Sequence, residues 1–65
     1  KRDLIRAIKE AIRENADITG RAQIAQVVDL LAQQGYAREE IRKQIEHFLR
    51  SGEAMEPKNG VIKLI

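Results

Sequence analysis

The residues of this chain that could take part in chemistry are few. The single histidine, His47, precedes Ser51 by four residues, so on a helix the two side chains would lie together as a general base beside a nucleophile. No third residue orients the histidine, and no oxyanion donors adjoin the serine. One histidine and no cysteine make a transition-metal site improbable. We therefore expect no catalytic residues, no bound metal and no cofactor.

Basic side chains on one helix are the first candidates for binding. At about 100° per residue, Lys43, His47 and Arg50 lie opposite the apolar stripe of their helix, where they would face a DNA groove. Glu39 and Glu46 flank them, and carboxylates repel phosphate. A solvated helix face explains the same charges without any ligand. Both interpretations, weak DNA contact and an ordinary surface, stay open.

A second set of candidates lies near the chain's last turn. Lys58 and Asn59 would occupy a hairpin tip, with Lys63 behind them, and could lie against a phosphate backbone or in a minor groove. Asn59 also suits the turn itself, and that requirement alone accounts for its presence. We favour the turn explanation for Asn59 and leave Lys58 open.

Three periodic apolar segments predict the helices that carry these residues, at about 3–15, 20–34 and 37–51. Gly35 and Gly52 are expected to end the second and third helices, since glycine best tolerates the left-handed conformation found there. Between the first two helices, Ile18-Thr19 is a β-favouring pair that predicts a minimal extra strand beside the hairpin. Thr19 is also a candidate cap for the second helix.

Residues 55–64 predict a β-hairpin around Asn59-Gly60, a pair typical of two-residue turns in which both residues have positive φ angles. The expected cross-strand pairs are Lys58 with Val61, Pro57 with Ile62, Glu56 with Lys63, and Met55 with Leu64. Because side chains alternate between the faces of a strand, one face should be apolar. Its expected members are Met55, Pro57, Ile62 and Leu64. The sequence therefore predicts an α+β fold, a winged helix-turn-helix with three helices followed by a two-stranded β-hairpin wing.

Composition limits the classes of function. Twelve Lys and Arg against ten Asp and Glu give a net charge of only +2, and residues 38–65 carry six basic and five acidic side chains. A strongly electrostatic DNA binder would have a larger surplus on one face. The only aromatic residues are Tyr36 and Phe48, and Phe48 belongs to an apolar stripe, so base stacking on single strands is not expected.

Length and apolar runs bear on organisation and location. The 65 residues predict one winged-helix domain, residues 1–65, and we expect it to be monomeric in isolation. The chain opens on Lys1 rather than methionine, which suggests a domain excised from the C-terminus of a larger protein. Apolar runs are too short for a membrane span or a signal peptide. The expected location is the cytoplasm, in association with the nucleoid.

Three segments of the chain resemble a known domain: residues 35–41, 49–53 and 56–63, which read GYAREEI, LRSGE and EPKNGVIK. They look like the C-terminal winged-helix domain of archaeal minichromosome maintenance (MCM) replicative helicases. In that family a helix ends in a small glycine-containing turn, and a wing of glutamate, proline, a basic residue and glycine runs to the chain terminus. The resemblance implies a hexameric ATP-driven helicase whose ATPase and DNA-channel residues precede Lys1.

What the resemblance implies about function is regulation rather than catalysis. The domain would modulate the helicase motor, contacting the motor domain or a replication initiator protein, with at most weak contact to duplex DNA. The alternative is a stand-alone winged-helix transcription regulator that inserts its third helix into the major groove. Such a reader should present Arg, Asn or Gln to the bases, and only Gln44 and Arg50 are offered. A purely protein-docking module is a third class.

Overall fold

The computed structural model describes residues 3–65; Lys1 and Arg2, which the single-domain prediction includes, lie outside the described part. Residues 3–65 form an α+β fold of three helices and a three-stranded antiparallel sheet. The elements are α1 (Leu4–Asn15), β1 (Arg21–Gln23), α2 (Ile24–Gln33), α3 (Arg38–Ser51), β2 (Ala54–Lys58) and β3 (Val61–Leu64). All three helices therefore form within a few residues of where apolar periodicity predicts them.

Helix α1 begins as its sequence predicts. The Asp3 side chain caps it by accepting a hydrogen bond from the Ile5 amide at 3.1 Å. Its apolar stripe is buried through Ile8, Ala11 and Ile12. The helix ends at Ala16, whose backbone is extended. Along its length α1 presents one apolar stripe to the core and a charged face outward.

The segment between α1 and α2 differs from the prediction. Ile18 is fully exposed, and the short strand lies three residues further on, at Arg21–Gln23. Thr19 does not cap α2, because its hydroxyl donates to Asp17 Oδ1 at 2.6 Å within a turn. Helix α2 begins at Ile24 instead of residue 20, with no side-chain cap at Gln23. No strand therefore forms at Ile18-Thr19, where the sequence predicted one, and the third strand is formed by Arg21–Gln23 instead.

A glycine turn joins α2 to α3, as the sequence predicts. Gly35 adopts φ +103°, and the Tyr36 amide donates to the Leu31 carbonyl at 3.2 Å. This six-to-one hydrogen bond satisfies a carbonyl at the helix end. An ion pair of 2.6 Å between Arg38 and Asp29 also bridges the two helices, although both side chains are more than half exposed.

Helix α3 buries the predicted stripe and ends at Gly52. Ile41, Ile45 and Phe48 are buried, and Leu49 is half-buried. Gly52 adopts φ +85°, a left-handed conformation that side chains rarely tolerate. The opposite face of α3 is left to solvent.

The sheet has the order β1-β3-β2, so the expected two-stranded wing is wrong: β3 pairs on both sides. Against β1, the partners are Arg21 with Lys63, Ala22 with Ile62, and Gln23 with Val61. The Ile24 amide extends this contact by donating to the Gly60 carbonyl at 2.9 Å. Strand β3 is therefore the centre of the sheet.

The predicted hairpin register is right at the turn and wrong beyond it. Lys58 pairs with Val61 as expected, but the ladder is then interrupted, and Met55 lies opposite Lys63 rather than Leu64. The irregularity includes Pro57, which has no amide hydrogen to give to the ladder. Two residues of β2 thus oppose one residue of β3, as in a β-bulge.

The bulge changes which residues face the core. Ala54 is 2% exposed and Met55 is 44% exposed, the reverse of the predicted placement of Met55 on the apolar face. Glu56 does not face Lys63; its carboxylate accepts a hydrogen bond from the Gly60 amide at 2.9 Å. The bulge therefore gives the core a small residue and places Met55 outside.

The core joins one side of the sheet to all three helices. Its buried members are Ile8, Ala11, Ile12, Ala22, Val27, Val28, Leu31, Ile41, Ile45, Phe48, Ala54 and Ile62. None of the described buried residues is polar or charged. Lys9 covers the edge of this core, with its Nζ 5.7 Å from the Phe48 ring centre and 3.2 Å from Glu53 Oε1.

The observed register makes a direct prediction about two neighbouring residues. Ala54→Gln should lower the free energy of unfolding by about 2 kcal/mol or more, because it forces a larger polar side chain into the core. Met55→Gln should change it by less than about 1 kcal/mol, because that side chain lies outside. Thermal and denaturant unfolding of both variants measure the difference. A larger loss for Met55→Gln would favour the unbulged register.

Candidate interaction surfaces

The exposed face of α3 carries the first three candidates as expected. Lys43, His47 and Arg50 are all exposed, so the wheel that placed them opposite the apolar stripe has the correct rotation. Arg42, which the sequence interpretation left out, is exposed beside them. The sequence could have indicated that Arg42 is exposed, because on the helical wheel it lies next to the apolar stripe and not within it.

Acidic residues balance this face of α3. Arg38, at the start of α3, is exposed but paired with Asp29 of α2. The other exposed charged residues of α3 are Arg42, Lys43 and Arg50 against Glu39, Glu40 and Glu46. Arg50 is also engaged with Glu46 one turn earlier, at 3.7 Å between Nη2 and Oε2. Three carboxylates among three cations weaken attraction to phosphate at every position along the helix. The exposed face of α3 therefore carries little net charge.

Because these cations are solvent-facing, reversing two of them should leave the fold intact. The double variant Lys43→Glu with Arg50→Glu should lower the free energy of unfolding by no more than about 1 kcal/mol, since exposed helical charge pairs contribute a few tenths each. Denaturant unfolding measures the loss, with Ile45→Glu as the control that should unfold the domain. A collapse of the double variant would mean that the helix is rotated differently.

The hairpin tip holds Lys58 and Asn59, both exposed. Strands β2 and β3 are joined by the two residues Asn59 and Gly60, as predicted. Among the described residues only glycines have positive φ, so Gly60 at +85° is left-handed and Asn59 is not. The expected turn with two positive φ angles is therefore wrong. Glu56, bonded to the Gly60 amide, also places a carboxylate beside the tip cation.

Lys63 lies on the outward face of the sheet, the side that faces away from the helices. Its cross-strand neighbours are Arg21 on β1 and Met55 on β2. The sequence interpretation missed Arg21 because it expected the second helix to begin at residue 20. The signal was the polar, apolar, polar alternation of Arg21, Ala22 and Gln23, which is typical of a half-buried strand.

Apart from Asn59, which lies in the turn between β2 and β3, the sequence-predicted candidates divide into two groups. Lys43, His47 and Arg50 share the exposed face of α3. Lys58 and Lys63 lie in adjacent rows of the outward sheet face, since Lys58 pairs with Val61 two residues before Lys63.

Asp17 borders the outward sheet face next to Arg21. Its Oδ1 accepts hydrogen bonds from the Thr19 hydroxyl at 2.6 Å, the Thr19 amide at 2.8 Å and the Arg21 amide at 3.1 Å. The Thr19 hydroxyl bond lowers the pKa of Asp17 most, followed by the bond from the Arg21 amide. The ionised carboxylate therefore holds the turn that leads into β1.

This lowered pKa predicts a pH dependence of stability. The carboxylate stabilises the fold above its ordinary pKa of 3.8, and that contribution is lost as the pH falls below 3.8 through the folded-state pKa. In Thr19→Val, which lacks the hydroxyl, the pKa of Asp17 should move back towards 3.8. NMR titration of the Asp17 carboxyl carbon measures it in both proteins. An unchanged titration would assign the lowered pKa to another cause.

A shallow groove of about 370 Å³ runs between α3 and β2. Ile24, Ile45 and Leu49 supply its apolar lining, and Glu56 closes one side. The other lining residues on α3 are charged with both signs. This groove borders the mixed-charge face of α3.

The hydroxyl of Ser51 makes its hydrogen bonds at the end of its own helix. Its Oγ lies 3.3 Å from the Phe48 carbonyl and 3.4 Å from a Glu53 oxygen.

Within residues 3–65 no cluster of three His, Cys, Asp or Glu side chains could hold a metal ion. No helix in that range is long and apolar enough to cross a membrane.

Comparisons of the chain with protein-family models, with curated proteins and with solved structures find no match.

Proposed function

We propose that this chain is a winged-helix domain. Helices α2 and α3 are joined by a short glycine turn, as in a helix-turn-helix, and the β2–β3 hairpin follows α3 in the position of a wing. The third strand, β1, lies between α1 and α2 and completes the sheet. The element order and the sheet order support this proposal.

We further propose that the domain is a regulatory appendage of a replicative DNA helicase that acts mainly through protein contacts. The resemblance of residues 35–41, 49–53 and 56–63 to the tail domain of archaeal MCM helicases supports the helicase context. The observation that supports action through protein contacts is the balanced charge of the exposed α3 face, because that face offers phosphate little net attraction. Contact with duplex DNA through Lys43, His47, Arg50 and Lys58 is then weak, and the domain works beside the motor at the nucleoid.

The rival proposal is a stand-alone transcription regulator that reads the major groove with α3. A base-reading helix needs free Arg, Asn or Gln side chains at its exposed positions. Gln44 is half-buried, and Arg50 is paired with Glu46. These two observations favour the protein-contacting role.

The two proposals predict different results in an NMR amide titration of the domain with short duplex and single-stranded DNA. We expect shifts in α3 and at residues 58–60 at low salt, and their loss at physiological salt, because a few exposed cations bind only through counterion release. Shifts at residues 43–50 that survive physiological salt and depend on DNA sequence would favour the transcription regulator. The Lys43→Glu, Arg50→Glu double variant is the control, since it removes the α3 cations.

The helicase context is tested separately on the full-length gene product. We expect ATP hydrolysis and strand unwinding to persist when residues 1–65 are deleted, with altered rates, because the proposed role is regulatory. Absence of both activities from the full-length protein would overturn the helicase proposal and leave the domain assignment standing.

A further inference from the structure

The outward face of the sheet concentrates positive charge, unlike the balanced face of α3. Two rows of side chains cross its three strands. The first row is Arg21, Lys63 and Met55, and the second is Gln23, Val61 and Lys58. None of these residues is acidic. Two carboxylates border the face. Asp17 lines a cavity with Arg21 and Lys58 and is bonded within its own turn, and Glu56 is bonded to the Gly60 amide beside Lys58.

Among the described residues, the three cations of this face make no ion pair within 4 Å, although Arg21 lies close enough to the Asp17 carboxylate to attract it. Arg21 is directly opposite Lys63, at a separation where like charges destabilise a sheet. Within residues 3–65, the ion pairs involve Lys9, Arg38 and Arg50 and none of these three cations. An anionic ligand would relieve the repulsion between Arg21 and Lys63.

Apolar side chains are placed between the cations. Met55 is 44% exposed beside Lys63, and Val61 is half-buried between Gln23 and Lys58. Arginine and methionine are enriched at protein interfaces, and the flexible thioether adapts to varied partners. A phosphate backbone would gain nothing from these side chains. The two aromatic residues, Tyr36 and Phe48, pack with the core, so the face has no platform for bases.

The two edges of the sheet are poor sites for strand addition. On the outer side of β1, the Arg21 amide donates to Asp17 Oδ1, and the Arg21 carbonyl accepts from the Asp17 amide at 2.9 Å. On β2, Pro57 lacks an amide hydrogen and the ladder is interrupted. An extended partner must therefore bind across the face through its side chains rather than along an edge.

We propose that the outward face of the sheet docks an acidic protein segment that carries apolar side chains among its carboxylates. Its carboxylates pair with Arg21, Lys58 and Lys63, and an apolar side chain packs on Met55 and Val61. This inference rests on the proposed protein-contacting function and names the chemistry of the partner.

The test uses a short, terminally blocked peptide in which glutamate alternates with leucine, added to the domain and followed by NMR. We expect amide shifts centred on Arg21, Met55, Val61 and Lys63. A glutamine-for-glutamate peptide and a serine-for-leucine peptide should each bind more weakly. Binding of the serine peptide as tightly as the leucine peptide would overturn the apolar part, and no shift with the first peptide would overturn the proposal.

A charge reversal separates binding from folding. Lys63→Glu places a carboxylate opposite Arg21, so the repulsive pair becomes attractive and the melting temperature should not fall. The same change should raise the dissociation constant of the acidic peptide about tenfold. Lys43→Glu on α3 is the matched control and should leave peptide binding unchanged. Equal weakening by both variants would indicate nonspecific charge attraction and overturn the site.

Duplex DNA is the competing ligand in the same titration. If duplex DNA shifts the sheet-face amides and displaces the peptide at physiological salt, the face binds phosphate and this proposal fails. Salt-resistant, sequence-dependent shifts at residues 43–50 would instead contradict the proposed function. The two failures therefore appear at different residues.

Discussion

The burial of Ile62 on the central strand is the constraint on which the rest of the structure depends. Of the three described strands only β3 pairs on both sides, and Ile62 lies at its middle with no exposed surface. Its β1 neighbour across the sheet is the small residue Ala22, and Ala54 is the buried residue of β2, so the helices can pack closely over the sheet. Burying such a side chain contributes about 1.5–3 kcal/mol, a large share for a domain without disulfides. Its inward direction also forces Val61 and Lys63 outward.

The helices were predictable because each carries its own signals. Apolar residues recur at helical spacing over three or four turns, and Gly35 and Gly52 end two of the helices through a local backbone requirement. The strands were less predictable because their positions depend on pairing partners far along the chain. Three residues of β1 show too little alternation to distinguish a strand from the start of α2. Pro57 interrupts the ladder, and that single interruption exchanges the places of Ala54 and Met55.

The same difference applies to the candidate binding residues. The exposure of Lys43, His47 and Arg50 follows from helical geometry alone, so their placement was correct. The grouping of Arg21 with Lys63 needed the pairing of β1 with β3, which joins residues 42 positions apart in sequence. Charge is consequently distributed unevenly in a way that the nearly neutral composition conceals. One surface mixes both signs in equal numbers, and the other carries three cations with carboxylates only at its border.

Ala37 is the N-cap residue of α3, and its methyl group accepts no hydrogen bond from the first amides of the helix. An uncapped end loses about 1 kcal/mol relative to one capped by serine. Glu39 and Glu40 compensate part of this loss, because carboxylates in the first turn interact favourably with the positive end of the helix dipole. The first amides of α3 therefore lack a side-chain acceptor, as do those of α2, whose N-cap residue Gln23 makes no cap hydrogen bond either. The start of α3 is consequently held by charge, through its first-turn glutamates and the ion pair between Arg38 and Asp29, and not by a side-chain cap.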